Sequence, residues 1–118
     1  VKFAYLMREL AKRIIPEHED EAFMVGILNS VYEEVGDEIK EVLEKAGVSE
    51  YVINGIFDKN SKLGKLKTLA EEIFKVCDDI TEGKEVNLTD LSNLLTKEDI
   101  FESCLLAEDN AESILATL

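Results

Sequence analysis

The sequence predicts an all-α protein, a single globular bundle of about seven helices. Apolar residues recur at three- and four-residue steps along most of the chain, which is the spacing of one face of an α-helix. No segment alternates with the period of two that is typical of a β-strand, and the hairpin dipeptide Asn-Gly occurs once, inside a helical stripe. With 118 residues, 46% of them hydrophobic, the chain is long enough for one domain with a substantial core.

The first two predicted helices lie on either side of a proline. The first covers residues 1–15, and Pro16 ends it because the proline ring clashes with the preceding helical turn. The second begins at an N-cap, Asp20, and is apolar nearly all round over residues 22–28. This pattern predicts that the second helix is central and buried, and that Gly26 allows a neighbouring helix to approach closely.

Local signals delimit the other predicted helices. Gly36 ends or bends the second helix, and Gly47 supplies a left-handed end to the third. Ser49 caps a short fourth helix, Asn60 or Ser61 begins the longest one, and Thr96 caps the last. These helices are predicted to cover residues 37–46, 50–58, 62–81, 88–95 and 97–118.

Charge limits the classes of partner. The chain has 26 acidic and 13 basic residues, a formal net charge of −13. Nucleic acid and anionic membrane surfaces would be repelled, because both are bound mainly through Lys and Arg. No apolar run approaches the roughly 18–20 residues that span a bilayer, and no signal-peptide pattern begins the chain. We therefore expect a partner that is not anionic, with no nucleic acid and no membrane.

The two cysteines indicate a compartment. Cys77 and Cys104 both occupy apolar helical positions, far apart in the sequence. This placement predicts reduced core cysteines of a cytoplasmic protein, without the close neighbours that a disulfide or a metal site requires.

Few residues suggest catalysis. His18 is the only histidine and lies in an acidic loop, PEHED, so a zinc site would lack further ligands of the usual kinds. The segment from Asp78 fits the calcium loop of an EF-hand in neither possible register, and no P-loop or G-x-S-x-G motif occurs. Adjacent acids such as Glu33–Glu34 and Glu71–Glu72 are typical of a solvated face in so acidic a chain. The sequence predicts no catalytic residue, no metal ligand and no cofactor.

One stretch resembles a known signature. Residues 21–31, EAFMVGILNSV, resemble the A-F-x-x-G-L-L-H-[DN]-[IL]-G segment of HDOD domains, the HD-related output domains of bacterial signalling proteins. Residues 4–14 look like the family helix that precedes this segment, and residues 69–83 look like the later family helix that contains an Asp and a Gly. Residues 41–73 are similar to the shortened HDOD module that follows an EAL domain in proteins of cyclic-di-GMP signalling.

The resemblance implies an HD-like helical fold, with an HDOD-like core over residues 1–83 and a helical extension over residues 84–118. Related HD enzymes hold a metal with an early His, a His–Asp pair and a late Asp. In this chain Asn29 and Ser30 stand at the pair and Asp78 stands at the late position. The resemblance therefore implies a non-catalytic regulatory module that acts through protein–protein contacts. Because the chain begins with Val1 rather than Met, we expect it to be part of a larger regulator with a linked signalling domain.

Two other functions stay open at this point. The first is an atypical metal-dependent phosphohydrolase of the HD superfamily, which would require His18, Asp78 and Asp79 to converge on one site. The second is a generic helical adaptor domain whose core patterning happens to match the family.

Overall fold

The computed structural model describes residues 1–87 and 94–117, except for the side chains of 115–117. This part of the chain contains six α-helices, a short 3-10 helix at Pro16–His18 and no strand, which confirms the all-α class. The predicted helix over 88–95 lies mostly outside the described residues. The six helices are α1 (Lys2–Ile14), α2 (Glu19–Val35), α3 (Ile39–Lys45), α4 (Glu50–Phe57), α5 (Lys62–Thr81) and α6 (Lys97–Thr117).

Helix α1, and not α2, is the central helix of the bundle. It contacts α2, α5 and α6, and Leu6, Met7 and Leu10 on it are fully buried. The prediction that α2 is buried all round was wrong. Helix α2 packs on α1 and α4 with one side only, where Ala22 and Val25 are buried. The apolar composition of a helix limits how many of its faces can be buried. The arrangement of the neighbouring helices determines how many of those faces are covered.

A close contact between α1 and α2 confirms the role predicted for Gly26. A Cβ atom added to Gly26 would lie 2.5 Å from the Cα atom of Ala4. Carbon atoms that are not bonded to each other pack at about 3.5–4.0 Å, so only glycine fits at this crossing. The pair of small residues therefore sets the separation of the two helices.

Side-chain caps begin α4, α5 and α6 where the sequence predicts them. The Ser49 hydroxyl accepts a hydrogen bond from the Val52 amide (3.3 Å), and the Ser61 hydroxyl accepts one from Gly64 (3.0 Å). At α6, the Thr96 hydroxyl accepts from the Asp99 amide, and the Asp99 carboxylate accepts from the Thr96 amide. Each bond satisfies a backbone amide that the helix itself leaves without a partner.

The start of α2 differs from its prediction, whereas its end agrees. The helix begins at Glu19, so Asp20 lies in its first turn and is not the N-cap. His18 occupies the cap position but makes no capping bond, because its Nδ1 atom bonds the Glu21 carboxylate at 2.7 Å. Gly36 ends α2 with a φ of 86°, a left-handed conformation that favours glycine.

Cys77 and Cys104 form a disulfide, so the prediction of reduced cysteines was wrong. Cys77 lies on α5 and Cys104 on α6, both buried, with Cα atoms 5.4 Å apart. The two helices pack side by side, which brings together residues that are 27 positions apart in the sequence. The predicted cytoplasmic location rested on the prediction of reduced cysteines. The disulfide removes that support. No helix in the described ranges has the length and apolar character needed to cross a membrane.

Charged residues also join α1 to α6. Glu9 is only 3% exposed, and its carboxylate pairs with Lys12 at 3.0 Å and with Arg13 at 3.4 Å. The Arg13 guanidinium reaches α6, where it pairs with Glu102 at 3.3 Å. The buried carboxylate is thus neutralised by bases from its own helix, one of which also holds the neighbouring helix.

Gly26→Ala is expected to lower the free energy of unfolding by about 1–3 kcal/mol, because the new methyl group would push α1 away from α2. Alanine has the higher helix propensity, so a loss of stability would show that the clash dominates. Glu34→Ala, at an exposed position of α2, is the control and should change stability by about 0.5 kcal/mol or less. Urea unfolding measures both, and a Gly26→Ala variant as stable as the control would contradict the close contact.

Reduction of the disulfide is expected to lower the free energy of unfolding by about 3–4 kcal/mol, the loop-closure entropy of a cross-link over 27 residues. The measurement is urea unfolding with and without a reducing agent. In the double variant Cys77→Ala, Cys104→Ala, the reducing agent should have no effect. Equal stability of the oxidised and reduced unmodified protein would contradict a disulfide between α5 and α6.

Candidate functional site

The structure places Asn29 and Ser30 in the wall of a surface cavity of about 420 Å³. The cavity lies where the start of α1 meets the second half of α2 and the middle of α5. Its volume is within the range of small-molecule sites, about 300–1,000 Å³. The residues that line it are Val1 before α1, Lys2 and Phe3 from α1, Asn29, Ser30 and Glu33 from α2, and Glu71, Phe74 and Lys75 from α5.

Asn29 is the most buried polar residue of this cavity, with 4% of its surface exposed. Its Nδ2 atom donates a hydrogen bond to the Glu33 carboxylate at 3.3 Å, which fixes the orientation of the amide. Its Oδ1 atom is buried and has no hydrogen-bond partner in the part of the chain that the structure describes. An unsatisfied buried acceptor costs about 1–3 kcal/mol, so Asn29 weakens the fold at this position.

The acidic and basic side chains of the cavity differ in their pairing. The Lys2 ammonium pairs with Asp78 at 3.0 Å, and the Lys75 ammonium pairs with Glu72 at 3.4 Å, and neither acid is in the cavity wall. The half-buried Glu71 forms no side-chain hydrogen bond or ion pair with another described residue. The cavity wall therefore contains carboxylates with free acceptor capacity and two lysine ammonium groups that pair with acids outside it.

Lys67 lies one helical turn before Glu71 on α5, and the Glu33 and Glu71 carboxylates both affect its pKa. Burial lowers the pKa of Lys67 below its ordinary value, while Glu71 and Glu33 act in the opposite direction. Its ammonium group donates a hydrogen bond to the Ile56 carbonyl at 3.2 Å. Lys67 thus balances part of the negative charge electrostatically without a direct bond to either carboxylate.

Aromatic rings supply the apolar part of the wall. The Phe3 and Phe74 rings meet edge to face, with centroids 5.4 Å apart. Phe74 is 40% exposed although it lies in the apolar stripe of α5. The cavity therefore combines an apolar side with a polar side formed by α2 and α5.

The structure brings together only two of the three positions that the HDOD resemblance singles out. Asn29 and Ser30 share the cavity, whereas Asp78 is largely exposed and is connected to the cavity only through its ion pair with Lys2. The sequence did not single out Glu33 and Glu71, because it contains many adjacent acids. The spacing of residues along the helix could have predicted Glu33 as a neighbour of Asn29, since Glu33 follows Asn29 by four residues and lies on the same face of α2.

The three candidate ligands of an atypical metal enzyme lie apart. His18 bonds Glu21 and stacks on the Tyr51 ring at 4.4 Å, Asp78 pairs with Lys2, and Asp79 is 3.7 Å from the Lys84 ammonium. Within residues 1–87 and 94–117, no group of three His, Cys, Asp or Glu side chains could hold a metal ion. The structure therefore does not bring together the three side chains that an atypical metal-dependent phosphohydrolase would require.

Comparison of the chain with models of protein families, with curated proteins and with solved structures finds no match. The HDOD resemblance therefore stays a prediction from the sequence motifs, and the function has to be argued from the described residues.

Asn29→Leu is expected to raise the free energy of unfolding by about 1 kcal/mol, because it replaces an unsatisfied buried amide by an apolar group with the same number of heavy atoms and the same branching. Asn54→Leu, at an exposed position of α4, controls for the difference in helix propensity between the two residue types. Both variants are compared with the unmodified protein by urea unfolding. If Asn29→Leu is less stable than Asn54→Leu, the buried amide contributes to the fold and the Oδ1 atom is not unsatisfied.

Proposed function

We propose that this protein is a non-catalytic regulatory module of a bacterial signalling protein, of the cyclic-di-GMP or a related type, and that it acts through protein–protein contacts. The HDOD resemblance implies this role. The observation that carries the proposal is an apolar face of α2 that no described element covers.

The exposed face of α2, here called the α2 stripe, consists of Met24, Ile27, Val31 and Val35. Their exposed fractions are 46%, 39%, 39% and 51%. The spacing of three or four residues places them on one side of the helix, opposite the buried Val25 and Ala22. Contiguous exposed apolar surface of this kind is typical of sites that bind another protein.

The charge of α2 identifies the kind of partner. The helix contains five acidic residues and no Lys or Arg. Two of these acids, Asp20 and Glu34, are exposed on the same side of the helix as the α2 stripe. A basic amphipathic helix complements this surface, because its apolar face would cover the stripe while its Lys or Arg residues meet the acids.

The residues at the expected metal positions favour a regulatory role over hydrolysis. Asn29 and Ser30 carry an amide and a hydroxyl, where an HD enzyme has an imidazole and a carboxylate. Neutral amide and hydroxyl oxygens are weaker ligands for a catalytic divalent ion than these groups. We therefore propose that the helical fold implied by the resemblance serves here to position residues for contacts with another protein.

A labelled amphipathic peptide of about 20 residues, with Leu on one helical face and Lys on the other, is expected to bind the protein. The double variant Ile27→Glu, Val31→Glu should weaken that binding by about tenfold or more, because it places charge in the apolar contact. Fluorescence anisotropy of the peptide measures the affinity.

Val42→Glu is the matched control, since Val42 is 61% exposed on α3, away from the α2 stripe. It should change the affinity by about twofold or less. Equal binding by the double variant and the unmodified protein would exclude the α2 stripe as the docking face. Turnover of nucleotide substrates with manganese, nickel or magnesium would contradict the non-catalytic part of the proposal.

A further inference from the structure

We propose that the disulfide between Cys77 and Cys104 is a redox switch for α6: its reduction allows α6 to leave α1 and α5 while helices α1 to α5 stay folded. This inference does not depend on the α2 stripe or on the regulatory role proposed above. It rests on the side chains that α6 buries, on the polar contacts that hold it and on the position of the disulfide in the chain.

Helix α6 buries few large side chains. Among its described side chains, those that are buried are Ile100, Ser103, Cys104 and Ala107. Only Ile100 among them is a large apolar residue. The stabilisation gained by burial grows with the apolar area removed from water, so α6 contributes less to the core than α1 and α5, which bury Leu, Ile and Met side chains.

The large apolar residues of α6 lie mostly on its outer side. Phe101, Leu105 and Leu106 are 41%, 39% and 40% exposed. These side chains keep much of their surface in water while α6 is docked, so they gain only part of the stabilisation that full burial would give. The contact of α6 with the bundle is therefore made largely by its small residues.

The polar contacts of α6 add little to its docking. The Ser103 hydroxyl is buried and has no hydrogen-bond partner among the described residues, which destabilises the docked helix. Arg13 pairs with Glu102 at 3.3 Å and with Asp99 at 3.8 Å, and both acidic side chains are at least one third exposed. Ion pairs this exposed contribute little. The disulfide is thus the strongest connection between α6 and the other helices.

The disulfide limits how far α6 can move. Helix α5 ends at Thr81 and α6 begins at Lys97, and residues 82–96 connect them. An extended chain spans up to about 3.3–3.6 Å per residue, so this connection alone would allow α6 to move away from α5. The disulfide holds the Cα atoms of Cys77 and Cys104 at 5.4 Å and removes most of that freedom.

The reductant is a dithiol, for which dithiothreitol serves as the probe. One thiolate of the dithiol attacks a sulfur of the disulfide, which forms a mixed disulfide and releases the other cysteine as a thiolate. The second thiolate of the dithiol attacks the mixed disulfide, releases the second cysteine and closes the dithiol into its own disulfide. The dithiol gives up two electrons and two protons, and the protein gains them as two thiols. Since Cys77 and Cys104 are both buried, the exchange requires α6 to open near the disulfide.

Thiol labelling of the reduced protein tests the proposal. Iodoacetamide at low concentration reacts with Cys77 and Cys104 only in open molecules, so the labelling rate reports the equilibrium population of the open form. We expect labelling at least about 100-fold faster than the global unfolding constant of the reduced protein predicts. The urea dependence of labelling should be less than about half of the equilibrium m-value, because opening of one helix exposes less surface than unfolding of the whole chain.

Hydrogen exchange locates the opening. In the reduced protein, we expect the amides of residues 97–114 to exchange at least about 100-fold faster than those of α2 and α4, after correction for intrinsic rates. Oxidation should slow the exchange of the α6 amides by about 100-fold or more, because the disulfide disfavours the open form. The double variant Cys77→Ala, Cys104→Ala should show the exchange pattern of the reduced protein with or without dithiothreitol.

Two serines of α6 provide matched variants. Ser103→Ala removes the buried hydroxyl, whereas Ser113→Ala makes the same change at an exposed position of the same helix. In the reduced protein, Ser103→Ala should slow iodoacetamide labelling by about fivefold or more, because it strengthens the docking of α6. Ser113→Ala should change the labelling rate by about twofold or less. Circular dichroism of each variant confirms that it is folded.

Three results would overturn the proposal. The first is a urea dependence of labelling equal to the equilibrium m-value, which would show that α6 leaves only when the whole chain unfolds. The second is uniform hydrogen exchange across the helices of the reduced protein. The third is equal labelling of Ser103→Ala and Ser113→Ala, which would show that docking of α6 does not control access to the thiols. None of these results bears on peptide binding to the α2 stripe, which the Ile27→Glu, Val31→Glu variant tests separately.

Discussion

The fold depends on how closely α1 and α2 approach each other at Ala4 and Gly26. Helix α1 also contacts α5 and α6, so its distance from α2 determines where the rest of the bundle can pack. A larger residue at Gly26 would have to displace backbone and not only a flexible side chain. The side chains that α1 contributes to the cavity, Lys2 and Phe3, lie within two residues of Ala4 and are positioned by the same contact.

The same contact explains why an unsatisfied amide lies at the cavity. Asn29 follows Gly26 by three residues, so both face the neighbouring helices, and the close packing that buries Gly26 also removes Asn29 from water. A leucine at this position would suit the core better, because it has no polar atom to satisfy. The Glu33 carboxylate, which accepts the bond from the Asn29 amide, and the Glu71 carboxylate form the polar side of the cavity at the edge of an apolar bundle.

Features that depend on neighbouring residues in the sequence could be predicted, and features that depend on distant residues could not. Ser49, Ser61 and Thr96 cap their helices through bonds to amides three residues away, so the sequence alone locates them. The partnership of Cys77 with Cys104 requires knowing that α5 and α6 are adjacent. The exposure of α2 and the cavity at Asn29 likewise result from the order in which helices pack around α1. The sequence singled out Asn29 only through a family signature, and it placed Glu71 among the adjacent acids of a solvated face.

The disulfide between α5 and α6 changes the connectivity of the chain. The chain from Cys77 to Cys104 becomes a covalent ring. Its two ends, Cys77 and Cys104, are connected by the backbone between them and also by the disulfide. A proteolytic cut anywhere in this ring would leave a single molecule composed of two polypeptides. Helix α6 would remain beside α1, where the Arg13–Glu102 ion pair also holds it, and separation of the fragments would require a reductant as well as a protease.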